Sequence, residues 1–326
     1  MSPLAEQYLS YVTSVRRYSE RTRALYSEVL DRFESYVLET SGGDTDILVY
    51  LTPQCLRSYE VKLLGRDGLS PRTVNLHLSV LSGFCRFLVM KGHLASNPVR
   101  LVTRPKMQKR LPEFYRDDTM ERYFEETAHS ASRDELEVLR SFEGVGSDSA
   151  KQMYLRRLRR LIISLLHSTG IRRSELIALN VGGYDPSRFM LKVKGKGDKE
   201  REVPLLPEVC DEIDLYMQAV EAYLGMFQAA ADPLLLTASG KRLYPVFVDR
   251  AVKEELGGVP EITARKSPHV LRHTLATELL NEGSDLNSIK ELLGHSSLAA
   301  TQVYTHNSIE KLKSVYDKAH PRAKDK

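Results

Sequence analysis

The sequence predicts a mainly α-helical protein in two parts, with one small antiparallel sheet in the second. Three observations carry that expectation. Apolar residues recur at helical spacing through roughly the first hundred residues. Asn97-Pro98 then breaks the pattern, and a basic stretch follows. Beyond it, helical patterns resume around two short alternating segments. Lys194-Gly195-Lys196-Gly197-Asp198-Lys199 joins those two as a glycine-containing hairpin turn. With 326 residues, 42% of them apolar, each part can bury its own core.

In the first part, Leu4 to Val15 and Ser19 to Glu39 read as helices, with Ser19 as an N-cap. Ser70-Pro71 is a strong helix start, Ser at N-cap and Pro at N1. Beyond it Val74, Leu78, Leu81, Cys85 and Leu88 share one face. Arg72, Asn75, Ser79 and Arg86 fall on the other, where they suit phosphates. The basic stretch up to Leu111-Pro112 reads as an extended linker able to track a polyanion. In the second part, Tyr154 to Leu166 is amphipathic. Leu155, Leu158, Leu161, Ile162, Leu165 and Leu166 face inward, and Arg156, Arg157, Arg159 and Arg160 are expected largely outside. Phe189 to Val193 and Arg201 to Pro204 alternate like strands. Helices are expected at 207–228, 244–256, 268–281, 285–293, 297–304 and near 309–319. Residues 128 to 150, charged and glycine-punctuated, read as a mobile excursion.

Net charge is only +4, with a pI near 8.8, but the cations cluster. Arg100, Arg104, Lys106, Lys109 and Arg110 form one group, and Lys151, Arg156, Arg157, Arg159 and Arg160 another. Such patches suit a polyanion, although most basic runs are solvated surface. Cys55, Cys85 and Cys210 form no CxxC pair, and an odd count argues against a disulfide framework. No secretory leader pattern opens the chain, and no stretch reaches membrane-spanning length. A cytoplasmic protein is expected.

The chemistry-bearing residues concentrate late in the chain. Tyr304 stands nine positions after the Gly294-His295 pair. Just upstream lies Ser267-Pro268-His269-Val270-Leu271-Arg272-His273. Two histidines, an arginine and a tyrosine in this setting suggest tyrosine attack on a phosphodiester. A phenol of pKa about 10 needs a proton acceptor or a strongly positive field. The phosphate oxygens gain charge in the transition state, and planar, permanently charged guanidinium groups suit them. The leaving oxygen needs a general acid.

Thr169-Gly170-Ile171-Arg172-Arg173-Ser174-Glu175 places Arg172 just after a helix-ending glycine, with Glu175 three positions later. A plain surface Arg–Glu pair fits that stretch equally well. His269 and Arg272 share a helix face. A zinc reading of His269 and His273 fits in spacing but lacks a third ligand. Lys196 sits in a Gly-Lys-Gly turn, which is either a solvated lysine or an ammonium carried on a flexible tip.

Taken together and in this order, TGIRRSEL, KGKGDKEREVPL, SPHVLRHTLATELL, LLGHSSLAATQVYTH and AHPRAK resemble the tyrosine site-specific recombinases, most closely the bacterial Xer type. The resemblance covers nearly the whole chain, including LSPRTVNLHLSVLSGFCRFL and RPKMQKRLP in the first part. It implies a C-shaped clamp on double-stranded DNA. Residues 1–103 would be a SAM-like helical core-binding domain, 104–112 a basic linker, and 113–326 a catalytic domain. A last helix near 309–319 would dock into a neighbouring protomer of a homo- or hetero-tetramer.

By the same resemblance Tyr304 is the nucleophile of a 3′-phosphotyrosine link. Arg172 and Arg272 clamp the phosphate, and Lys196 is the acid for the 5′-oxygen. His269 accepts the tyrosine proton, His295 hydrogen-bonds the phosphate, and Glu175 supports them. Arg72, Asn75, Arg104, Lys106, Lys109 and Arg110 are the candidate DNA contacts. No metal, cofactor or ATP is implied. The function implied is recombination through a Holliday junction to resolve chromosome or plasmid dimers. A second Xer-type recombinase and a septal DNA translocase are the implied partners.

Two departures stand out. The segment before Tyr154 looks longer than usual for Xer proteins, and Arg173 replaces a small apolar residue. Rival readings are an integrase or excisionase of a mobile element, a type IB topoisomerase, and a DNA-binding architectural protein without catalysis. The core-binding helices begin at the first residues, which favours the Xer reading over integrases with an added arm-binding domain.

Overall fold

The computed structural model describes residues 1–43, 46–107, 113–142, 147–195, 199–262 and 265–294. The chain divides into two units, Met1–Arg110 and Leu111–Lys326.

The first unit is helical, and hydroxyl side chains start most of its helices. α1 (Pro3–Ser14) is capped by Ser2, α2 (Glu20–Ser41) by Ser19, and α5 (Pro71–Met90) by Ser70. Each cap oxygen accepts a backbone N–H that the first helical turn leaves unpaired. α3 (Ile47–Tyr50) and α4 (Pro53–Val61) lie between, and α4 runs on into a π turn, Lys62–Arg66. Val74, Leu78, Leu81, Cys85 and Leu88 of α5 are all buried, as their spacing predicts. Tyr8, Phe33, Tyr59 and Phe84 fill the core around them. His77 joins this core, and Tyr59 Oη meets its Nδ1 at 3.0 Å.

Contrary to the sequence reading, α5 is long and apolar enough to cross a membrane by length and composition. Its apolar face is used instead to build this core.

The second unit begins its regular structure with α6 (Asp117–Glu126) and α7 (Arg133–Arg140). The long helix α8 (Asp148–Thr169) follows and forms the centre of the unit. Gly170 ends α8 at φ +60°, and α9 (Arg173–Ala178) starts at once. β1 (Tyr184–Asp185), β2 (Met190–Lys194) and β3 (Glu200–Pro204) form an antiparallel sheet in that order. Leu191 pairs with Val203 and Val193 with Arg201. The hairpin closes with Gly195 N–H donating to the Lys199 carbonyl at 2.7 Å. α10 (Pro207–Leu224), α11 (Pro245–Glu255), α12 (Pro268–Asn281) and α13 (Leu286–Leu293) complete the described residues. α8 packs against α10, α11 and α12. The expected helices at 297–304 and 309–319 lie outside the described residues.

Three expectations need correction. α10 ends at Leu224 rather than 228, because Gly225 takes the left-handed cap at φ +63°. Residues 128–150 are not simply an excursion. A 3₁₀ turn (Ala128–Ala131) and α7 pack on α8, with Leu136 and Leu139 in the core. Residues 143–146 lie outside the described set.

The third correction concerns the arginines of α8. Arg156 is half exposed, but Arg157 and Arg160 are buried. Arg157 pairs with Glu135 and donates to the Ser132 carbonyl at 2.6 Å. Arg160 pairs with Glu212 at 3.2 Å and donates to the Phe124 carbonyl at 3.0 Å. The cations that a helical wheel puts outside are therefore covered, Arg157 by α7 and Arg160 by the end of α6 and by α10.

Candidate active site

The site is assembled at the point where α8 gives way to α9. Gly170 stands in the left-handed conformation, where a side chain is strained. A Cβ there would also lie 2.5 Å from Leu293 Cδ2 and 2.9 Å from Leu275 Cδ2. This tight turn aims Arg172, the N-cap of α9, back towards α13.

Glu175, buried on the first turn of α9, holds Arg172 twice. Its Oε2 accepts the Arg172 backbone N–H at 2.8 Å, and its Oε1 accepts Arg172 Nη1 at 2.9 Å. Arg201 reaches the same carboxylate from β3, Nη1 to Oε1 at 3.0 Å and Nη2 to Oε2 at 2.9 Å. Burial pushes the Glu175 carboxyl up, but the hydrogen bonds and charges of Arg201 and Arg172 outweigh it. The net result is a carboxyl held below its ordinary range. The surface Arg–Glu alternative is thereby excluded, since the Glu175 side chain is only 3% exposed.

Arg272 projects from α12 and is buried. Its Nη1 donates to the Gly170 carbonyl and its Nη2 to the Leu293 carbonyl, both at 2.5 Å. Burial, then the nearby Arg172 cation, pulls its pKa down to about 10, still charged at neutral pH.

A pattern emerges at the end of α13. Arg201 Nε donates to the Leu292 carbonyl at 3.3 Å, Arg272 to Leu293, and Arg172 Nη2 to Gly294 at 2.9 Å. The last carbonyls of a helix have no partner within it and form the negative end of its dipole. Three guanidinium groups thus cap three consecutive carbonyls immediately before His295.

His269 lies on the first turn of α12, exposed, one helical turn before Arg272. Partial desolvation lowers its pKa, and the neighbouring His273 and the cations Arg173, Arg272 and Arg265 lower it further. A neutral imidazole is a proton acceptor. Arg173, which the sequence left without a role, forms an ion pair with Asp249 of α11 and contributes to this field. The start of α12 is anchored by Tyr115, whose hydroxyl donates to the Arg265 carbonyl at 2.9 Å. Tyr115 N–H also donates to Thr274 Oγ1 at 2.9 Å. Among the described residues, no three His, Cys, Asp or Glu side chains gather as a metal site.

The structure therefore brings Arg172, Glu175, Arg272 and His269 into one region. Lys196, His295 and Tyr304 lie outside the described residues. Sequence reasoning missed Arg201. Its signal was present: it falls on the inward phase of β3, with Val203, and a charge there implies a buried partner.

In the first unit, Arg72 is exposed at the start of α5. Asn75 and Ser79 are engaged by the chain that follows. Asn75 Nδ2 donates to the Pro105 carbonyl at 3.0 Å, and Arg104 donates to Ser79 Oγ at 2.9 Å. Arg104 and Lys106 are exposed, and Lys109 and Arg110 lie outside the described residues.

The half-exposed Arg172, the buried Arg272 and an imidazole of lowered pKa suit a phosphodiester whose oxygens gain charge as a nucleophile attacks. Comparison with known proteins agrees. Residues 147–311 match the phage integrase family, and residues 5–92 match the phage integrase N-terminal SAM-like domain. The chain is 35% identical to the tyrosine recombinase XerC of Mycobacterium sp. strain JLS, covering 99% of this chain and all of that one. It is 33% identical to the XerC of Chlorobaculum parvum, covering 98% of this chain and 94% of that one.

Among solved structures, the fold is similar to the XerH site-specific recombinase in a post-cleavage complex with palindromic difH substrate. The TM-score is 0.64 at 20% identity, over 96% of this chain and 84% of that one. It is also similar to the Tn1549 transposon integrase, TM-score 0.63 at 18% identity, over 94% and 98% of the two chains. The mainly helical fold with a small sheet is the fold of these recombinases. The chain belongs to the phage integrase family and is an Xer-type tyrosine recombinase, an enzyme that breaks and rejoins DNA strands.

Proposed function

We propose that this recombinase resolves chromosome or plasmid dimers in the cytoplasm. Four protomers, or two each of this chain and a second Xer-type recombinase, would act on two copies of one DNA site. The convergence of Arg172 and Arg272 on the last turn of α13 carries the reading, because His295 follows directly and Tyr304 nine residues later. Similarity to XerC proteins over nearly the full chain supports the dimer-resolving role over that of a mobile-element integrase.

In this scheme Tyr304 Oη attacks the scissile phosphorus and gives up its proton to neutral His269. A 3′-phosphotyrosine bond forms as the bond to the 5′-oxygen breaks. Lys196 supplies the proton to that leaving oxygen. Arg172, Arg272 and His295 hold the non-bridging oxygens, and Glu175 fixes Arg172. The phosphotyrosine conserves the bond energy, so a second strand's 5′-hydroxyl reverses the step and joins new partners.

Residues 1–103 serve as the core-binding domain, 104–112 as the linker and 113–326 as the catalytic domain. Arg72, Asn75, Arg104, Lys106, Lys109 and Arg110 contribute phosphate contacts. The helix near 309–319 couples neighbouring protomers, and a septal DNA translocase acts as the trigger.

The test is covalent capture. DNA attached to Tyr304 is recovered from cells and sequenced. One chromosomal or plasmid site, lost in Tyr304→Phe, is expected, together with accumulation of dimers when the gene is disrupted. Recovery of mobile-element ends instead would assign the integrase role. Covalent complexes formed by Tyr304→Phe would remove the nucleophile assignment. Site-independent relaxation of supercoils would point to a topoisomerase.

A further inference from the structure

We propose that Arg201 is a positioning residue for strand cleavage. It locks Glu175 to the last turn of α13 and thereby fixes the guanidinium of Arg172. The proposal rests on the reading of Arg172 and Tyr304 given above.

Arg201 touches both groups against which Arg172 leans. The first is Glu175. Both of its oxygens are shared, Oε1 between Arg172 Nη1 and Arg201 Nη1, and Oε2 between the Arg172 backbone N–H and Arg201 Nη2. The second is Gly294, whose carbonyl accepts Arg172 Nη2. A Cβ added to Gly294 would lie 3.0 Å from Arg201 Cζ, 3.1 Å from Nη1 and 3.2 Å from Nε. Gly294, the cap of α13, therefore leaves no room for a side chain between itself and the Arg201 guanidinium. Arg201 Nε also donates to the Leu292 carbonyl, two residues earlier.

The two arginines differ in exposure. The Arg201 side chain is 8% exposed, while that of Arg172 is 35% exposed. The buried one is the fixed part, and the open one is available to a phosphate. Only a planar fork makes the parallel pair to Glu175 and still turns Nε to a carbonyl. A lysine supplies the charge but not that geometry. Arg201 also stands on β3, the strand that leaves the hairpin carrying Lys196 five residues earlier. One buried side chain thus ties together the strand after the candidate acid, the holder of one phosphate arginine, and the helix end preceding His295.

The competing role for a buried arginine is neutralisation of Glu175 alone, so the test separates the two. The full-length chain is assayed on a nicked suicide duplex carrying the site recovered on Tyr304. Single-turnover formation of the covalent complex, duplex Kd by fluorescence anisotropy, and Tm are measured. Arg201→Met alone orphans a buried carboxylate. The double variant Arg201→Met with Glu175→Gln removes both charges. Measured against Glu175→Gln alone, which already loses part of the hold on Arg172, it is expected to keep Tm, hold Kd within about threefold, and cleave about tenfold more slowly.

Arg201→Lys keeps the charge and is expected to fold and cleave about tenfold more slowly at unchanged Kd. If the double variant does not fold, Arg201→Lys decides alone. Cleavage by Arg201→Lys within threefold of wild type, or by the double variant within threefold of Glu175→Gln, overturns the proposal. So does a Kd that weakens by the same factor as the rate. Failure of the wild-type chain to link the duplex through Tyr304 instead overturns the underlying functional reading.

Discussion

Glu175 and Arg201 face each other as a two-bond pair, Oε1 to Nη1 at 3.0 Å and Oε2 to Nη2 at 2.9 Å, with both side chains buried. Deleting the carboxylate leaves a buried cation without its counter-charge. Glu175→Ala is expected to cost about 3–5 kcal/mol of unfolding free energy. Urea denaturation checks this, and a loss below about 1 kcal/mol would mean the pair is readily replaced by water.

The same pair predicts a pH dependence. The folded-state pKa of Glu175 is lowered, so its contribution to stability is present above the unfolded carboxylate pKa of about 4.3. It is lost as pH falls through the lower folded value. Unfolding midpoints followed from pH 6 downwards should fall in the wild type. In Glu175→Gln the slope should be shallower, and identical slopes would assign the acid sensitivity to other groups.

His269 gives a second titration. Its pKa is lowered by burial first and then by His273, Arg173, Arg272 and Arg265. Removing one of these cations should raise it. In Arg173→Gln the acidic limb of the cleavage profile should therefore move to higher pH, as should the His269 ring resonances in NMR. An unmoved resonance would show that burial alone sets the value.

Gly170→Ala tests the turn that aims Arg172. The left-handed φ costs about 1–2 kcal/mol for a residue with a side chain. The overlap with Leu293 and Leu275 adds about 1–3 kcal/mol. A Tm fall accompanied by slower covalent-complex formation is expected. Unchanged stability would mean that α13 yields without resistance.

Lys196→Ala should slow cleavage about 100-fold or more if it removes the general acid. A 5′-bridging phosphorothiolate, whose leaving group needs no proton, should restore the rate. Absence of rescue would take Lys196 out of that role.

Much of this was legible in the sequence, for identifiable reasons. Ser70-Pro71 marks a helix start because capping and a fixed φ are local properties, and α5 begins there. Arg172 and Glu175 were found because their spacing after a helix-ending glycine is itself a pattern, and Arg272 because it shares a helix face with His269 behind Ser267-Pro268. Arg157 and Arg160 were misread because their partners, Glu135 and Glu212, are set by tertiary packing rather than by neighbours along α8. Residues 128–150 were misread because charge and glycine content hide Leu136 and Leu139, two core residues on one short helix. The carbonyl capping at the end of α13 had no signature at all, since backbone oxygens carry no residue identity.

That capping also bears on how the enzyme is made. Arg172 reaches Gly294 across 122 residues, Arg272 reaches Gly170 across 102, and Arg201 reaches Leu292 across 91. Domains emerge from the ribosome N-terminal end first. The early arginines are therefore synthesised long before the helix end that orders them, and the tyrosine comes later still. Until α13 is made, Arg172 and Arg201 lack the carbonyls that hold them. The arginine cluster is thus complete only once the last quarter of the chain has folded into place.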